Sequence, residues 1–146
     1  MILRRDTVVS ASPGEVWRVV SDPARLAQWW PGVTRVEEAS AEAWTNVLSS
    51  PRGKTVRADY TLVESVEGER LVWRQELAES PFERVLASAQ TTVTLAPAEG
   101  GTAVEVALDQ RPRGWARFAP LQFRAAGLRQ VRGATEGLRA LWTPEG

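Results

Sequence analysis

The sequence predicts an α+β fold: a strand and two short helices, then an antiparallel sheet, then one long helix. Three observations carry this. Apolar residues alternate with period two from Val33 to Arg113, helix-start signals stand at Ser12-Pro13 and Asp22-Pro23, and helical spacing returns over residues 115–142.

Residues 2–11 are β-branched and read as a strand running into a helix start. Ser12 is a natural N-cap, Pro13 a natural first helical residue, and Glu15 an acid in the first turn; Val16, Val19 and Val20 then form one apolar face. Asp22 caps a second short helix carrying Leu26, Trp29 and Trp30, which Pro31-Gly32 ends. The next strands are expected at 33–39, 43–49, 54–65, 69–79, 82–96 and 102–111. The turn compositions between them, Ser50-Pro51-Arg52-Gly53, Glu67-Gly68, Ser80-Pro81 and Ala98–Gly101, favour hairpins over crossovers. Alternation puts Val56, Ala58, Tyr60 and Leu62 on an inner face, with Leu71, Trp73, Gln75 and Leu77, then Val85, Ala87, Ala89, Thr91, Val93 and Leu95, then Val104, Val106 and Leu108. Over 115–142, Leu121, Leu128, Val131, Thr135, Leu138 and Trp142 fall on one stripe of a helix that stops before Pro144. Gly127, Gly133 and Gly137 each weaken that helix by about 1 kcal/mol relative to Ala, so packing must hold it.

Composition narrows the chemistry. The 146 residues include no His and no Cys, which removes disulfides, thiol nucleophiles, imidazole bases and ordinary zinc sites; no cofactor and no metal is expected. Of 18 basic residues only Lys54 is lysine. The balance favours a binding protein over an enzyme without excluding catalysis. One domain, 1–146, is expected at this length. No apolar run approaches the roughly 20 residues that cross a bilayer, and no secretion signal opens the chain, so a cytoplasmic location is expected. The zero net charge conceals a division. Residues 1–110 hold 11 basic and 16 acidic side chains, a net −5, whereas 111–146 hold 7 and 2, a net +5. An acidic sheet is thus matched to a basic helix, which biases a site between them toward anions.

The order of elements, with Val9-x-Ala11-Ser12-Pro13-x-Glu15-Val16-Trp17-x-Val19-Val20-Ser21-Asp22-Pro23-x-x-Leu26-x-x-Trp29-Trp30-Pro31-Gly32-Val33, resembles the SRPBCC or START-like (Bet v 1-like) superfamily, and within it the polyketide cyclase/dehydrase and lipid-transport group. Thr92-Val93-Thr94-Leu95-Ala96-Pro97 followed by Gly101-Thr102-x-Val104-x-Val106 is similar to that group's last hairpin. These are scaffold residues, setting caps and turns. The resemblance implies a helix-grip fold, a curved antiparallel sheet of about seven strands around the C-terminal helix with a cavity between them. It also implies a hydrophobic or amphipathic, lipid-like or polyketide-like ligand in that cavity. The alternatives are a polyketide cyclase or aromatase using the same cavity, and a lipid carrier working at a membrane surface.

Within such a cavity the few inward polar residues are the informative ones. Tyr60 and Gln75 offer a phenol and an amide to orient a carbonyl or hydroxyl, and Trp73, two residues before Gln75, is expected beside the ligand with them. The alternative is that Tyr60 and Gln75 satisfy buried backbone groups. Arg117 and Arg124 share the helical stripe of Leu121 and Leu128, a poor place for guanidinium groups unless they meet an anion or solvent. Arg117, Phe118, Leu121, Arg124 and Leu128 are expected beside the ligand; the alternative for Arg117 and Arg124 is that both extend into solvent or pair with sheet carboxylates. Trp44, Trp73, Trp115, Phe118 and Phe123 could line an aromatic pocket or pack as core, while Trp29-Trp30 pins the short helices to the sheet. Arg111–Phe118 interleaves cations and aromatics, as a transient membrane contact would; the alternative is a solvated loop and helix start. Nucleic acid is not expected as a partner, because that patch is short and the chain is not basic. A monomer or a homodimer is equally compatible. Carboxylates are scarce on the inner face, and Asp59 is held in reserve as a general base should a bulge reverse the register.

Overall fold

The structure is a computed structural model and describes residues 1–50 and 52–143. Pro51, inside the expected turn at Ser50–Gly53, and Pro144, the expected helix stop, lie outside the described residues. Seven strands form one antiparallel sheet: β1 (Ile2–Val9), β2 (Val33–Glu37), β3 (Ala43–Ser49), β4 (Thr55–Val66), β5 (Arg70–Glu76), β6 (Leu86–Ala98) and β7 (Gly101–Pro112). Their spatial order is β1-β7-β6-β5-β4-β3-β2, so β2 to β7 run as a meander and β1 closes the far edge. Between β1 and β2 come α1 (Pro13–Val20), a 3-10 turn (Pro23–Arg25) and α2 (Leu26–Trp29). A second 3-10 turn (Gly114–Phe118) leads into α3 (Pro120–Ala140). This is the expected helix-grip arrangement.

The local signals act as anticipated. Ser12 caps α1 by accepting from the Glu15 amide at 3.3 Å, and Asp22 accepts from the Ala24 amide at 3.1 Å. Thr102, fully buried, ties the last hairpin to the start of α1 by donating to the Ala11 carbonyl at 2.7 Å. The α3 residues Val131, Ala134, Thr135 and Leu138 are buried at helical spacing.

The three helix glycines have a use that propensity alone conceals. A Cβ on Gly127 would collide with the Leu3 side chain, one on Gly137 with the Trp29 carbonyl, and one on Gly133 would stand 2.9 Å from Pro31 Cγ. Bare backbone at these points lets α3 approach β1 and the end of α2 closely. The helix packs over β7 and β1 and against α2, leaving the inner face of β3 to β6 only partly covered.

Three expectations need correction. The strands expected at 69–79 and 82–96 stop at Glu76 and begin at Leu86. Between them Ser80 donates to the Leu77 carbonyl through both its amide (3.0 Å) and its hydroxyl (2.7 Å), and its hydroxyl oxygen accepts from the Phe82 amide. Serine-proline turn chemistry there overrides the apolar alternation. Second, a register shift between Leu86 and Ser88 turns Leu86 inward and exposes Ala87, reversing the expected parity at the head of β6. Third, the single helix over 115–142 breaks at Ala119 (φ −126°, ψ 57°), where the following Pro120 disfavours helical geometry, and α3 ends at Ala140. Among the described residues no helix is long and apolar enough to cross a membrane.

Candidate functional site

The uncovered inner face and α3 enclose a pocket of about 660 Å³. Its floor is built by alternate residues of five adjacent strands: Asn46 and Leu48 on β3, Tyr60 on β4, Trp73 and Gln75 on β5, Ala89 and Thr91 on β6, Leu108 and Gln110 on β7. Ala126, Arg129 and Gln130 of α3 form the opposite wall, Phe82 closes one side from the serine-proline turn, and Leu26, Trp30 and Pro31 close another. Strand pairing sets the lateral order. Tyr60 is opposite Gln75, Trp73 is opposite Thr91, Thr91 is opposite Leu108, and Ala89 is opposite Gln110.

An aromatic cluster divides this pocket from a smaller one of about 270 Å³, which Trp44, Leu62 and Leu71 help to line. Trp73 borders both and meets Trp30 and Trp44 edge-on at 5.9 Å between ring centroids, and Trp29 at 6.5 Å. Trp44 stacks on Tyr60 at 6.0 Å with planes 10° apart. Trp29, buried against Trp30 and Trp73, does pin the short helices to the sheet.

The polar groups on the floor are neutral and unevenly partnered. Burial pushes the Tyr60 hydroxyl up to about 12, although a side-chain hydrogen bond with Asn46 pulls the other way. Asn46 Oδ1 and Gln75 Nε2 are buried with no hydrogen-bond partner. An acceptor and a donor left unpaired in an aromatic pocket each carry a desolvation penalty of about 1–3 kcal/mol, which a guest with matching groups would recover. Among the described residues Arg129 is the one charged residue lining the larger pocket, and no carboxylate lines it. Asp59 is exposed and accepts from Thr45 Oγ1 at 2.6 Å, away from the pocket, so the reserve general base is not brought to the site.

Of the eight residues expected beside the ligand, the structure brings Tyr60, Trp73 and Gln75 together on the pocket floor. It does not bring the other five. Arg117, Phe118, Leu121 and Arg124 are exposed and Leu128 is half-buried, and none lines either pocket. Trp115 is exposed and Phe123 half-buried outside both pockets. The cause is the break before Pro120 together with the reach of the sheet. The stripe of Leu121 and Arg124 continues that of Val131 and Leu138, but on the first turns of α3 its residues Leu121 and Arg124 are exposed. The wall comes instead from the neighbouring stripe of Ala126, Arg129 and Gln130. Asn46 and Gln110 were legible by extending two parities, Trp44-x-Asn46-x-Leu48 and Val104-x-Val106-x-Leu108-x-Gln110. Arg129 and Gln130 had no such signal, because the helical wheel does not say which flank of the buried stripe faces a void.

Residues 2–142 match the family described as polyketide cyclase/dehydrase and lipid transport. The chain belongs to that family. Solved structures agree on the fold. Protein CV1439 from Chromobacterium violaceum aligns with a TM-score of 0.73 at 25% identity over 99% of this chain and 98% of that one. A START superfamily protein from Mycobacterium smegmatis aligns at 0.72 and 15% identity, over 97% and 99%. The di-domain ARO/CYC StfQ of the steffimycin biosynthetic pathway aligns at 0.76 and 13% identity, over 97% of this chain and 50% of StfQ. No curated protein matches the sequence.

Proposed function

We propose that this family member binds a hydrophobic or amphipathic small molecule in the larger pocket, under α3. The observation that carries the reading is the pairing of a 660 Å³ aromatic pocket with two unpaired buried groups, Asn46 Oδ1 and Gln75 Nε2. Apolar burial supplies the affinity, and these two groups with Tyr60 orient a guest that offers a donor to the first and an acceptor to the second. Arg129 at the wall favours a guest with an anionic end. Native mass spectrometry of the purified protein tests this: a small apolar molecule should be carried through purification and displaced by anilinonaphthalenesulfonate. A chain that is ligand-free and gives no saturable probe binding would refute it.

One observation favours a second reading, a cyclase acting in the same pocket. Tyr60 and Gln75 face one another across β4 and β5, so a neutral phenol and an amide could both donate to a carbonyl oxygen as it gains negative charge. StfQ, described as an ARO/CYC, shares the fold. On this reading Tyr60→Phe lowers the rate at which a poly-β-keto substrate surrogate is turned over while its affinity holds; a parallel loss of both would favour binding alone.

A further inference from the structure

The three most exposed large apolar side chains among the described residues stand close together in sequence and outside the pocket: Trp115, Phe118 and Leu121 are 69%, 83% and 78% exposed. Trp115 and Phe118 are three residues apart in a 3-10 turn, where side chains at that spacing eclipse and so project to one side. Leu121 follows on the uncovered first turn of α3. Three such side chains within seven residues exceed the scattered exposure ordinary for a surface.

Cations accompany them. Between Asp109 and Glu136 the sequence has six arginines and no carboxylate. Arg111, Arg113, Arg117 and Arg124 are all exposed, and among the described residues none of the four pairs with a carboxylate. The Arg117 guanidinium carbon lies 6.0 Å from the centre of the Phe118 ring.

We propose that this corner, Arg111 to Arg124, docks on an anionic lipid surface. The indole, phenyl and leucine side chains enter the headgroup boundary, and the guanidinium groups meet lipid phosphates. Charge complementarity selects this occupant. A second copy placed on the patch by a twofold axis would set its arginines against themselves. A nucleic acid could stack on the rings and meet the arginines, but it calls for a broader basic surface than this short patch on a chain of zero net charge. The corner is also joined to the pocket wall. Leu86, which lines the pocket, pairs with Pro112, and the Arg113 amide donates to the Val85 carbonyl at 2.8 Å. The docking surface stands on these exposed residues and does not require that the pocket hold a ligand.

Vesicle flotation tests it, with phosphatidylcholine vesicles compared with mixed phosphatidylcholine–phosphatidylglycerol vesicles. The protein should float with the mixed vesicles alone and be released by salt. Phe118→Asp should weaken partitioning roughly tenfold or more, and Arg111→Glu combined with Arg117→Glu by a similar factor. Thermal melting should stay unchanged in both variants, because the replaced side chains are exposed. Failure to float, equal flotation with neutral vesicles, or variants that float like the parent each overturn the proposal. A dimer in sedimentation that Phe118→Asp dissociates, with no vesicle binding by the parent, would overturn it in favour of a second copy. A protein that floats as described yet carries no displaceable pocket ligand leaves this inference standing and removes the reading under Proposed function.

Discussion

Tyr60 lies directly opposite Gln75 across the β4–β5 pair, and both side chains open on the same pocket. Tyr60 is the one tyrosine in the chain, so its phenolate absorbance reports this position alone. Its hydroxyl is raised from 10.0 to about 12 in the fold, chiefly by burial. A group whose folded value lies above its unfolded one gives stability that is complete below the unfolded value and lost as pH rises through the folded one. Unfolding midpoints should therefore be insensitive to this residue below pH 10 and fall between pH 10 and about 12, and Tyr60→Phe should flatten that fall. Phenolate appearing near the ordinary value in the native protein would contradict the burial of the hydroxyl.

Gln75→Leu separates stability from binding. It removes a buried amide nitrogen that has no partner, so the variant should be more stable by about 1 kcal/mol, read as a higher urea midpoint. The same change should weaken any ligand that accepts a hydrogen bond there by about tenfold. Loss of stability with unchanged binding would mean that the amide serves the fold and not a guest.

Arg129 and Arg124 should behave oppositely. Arg129→Gln is expected to weaken anilinonaphthalenesulfonate, an anionic probe, by about tenfold, and a neutral apolar ligand hardly at all. Arg124→Gln should leave both unchanged in solution, since Arg124 is exposed and outside the pocket. Fluorescence titration of the two variants decides it.

Two glycine substitutions should differ in sign. Gly14, exposed in α1, has nothing within 4 Å of an added Cβ, so Gly14→Ala should stabilise by up to about 1 kcal/mol. Gly137→Ala would place a methyl group against the Trp29 carbonyl, and should cost about 1–3 kcal/mol net despite its better helix propensity. Thermal denaturation of the pair measures both.

Most of the fold was readable because its signals are local. Ser12-Pro13 starts α1 and Asp22-Pro23 the 3-10 turn before α2, and period-two alternation placed β3, β4 and β7 within a residue or so of their observed ends. The misplaced elements are those where two local signals compete. At Ser80-Pro81 turn hydrogen bonds defeated the alternation that implied continued strands, and at Pro120 a proline interrupted a periodic helical pattern. The site followed the same division. Tyr60, Trp73 and Gln75 came from strand parity, which survives in three dimensions unless a bulge intervenes. Arg117, Leu121 and Arg124 came from a helical stripe, which says only that one side of a helix is favoured for burial. Whether that side meets the sheet, a pocket or water depends on how far the helix extends beyond its support.

The glycine contacts along α3 have a mechanical consequence. Gly127, Gly133 and Gly137 brace the helix on Leu3, Pro31 and Trp29, so its later turns are bound like the spine of a book. A guest cannot be admitted by lifting the helix as a unit, because that would undo three backbone-close seams together. On the proposed reading a guest would enter at the less braced end, past the opening turn of α3 and the turn that carries Phe82. Amide exchange should record this as a gradient along one helix, fast at Leu121–Ala125 and slow at Val131–Leu138.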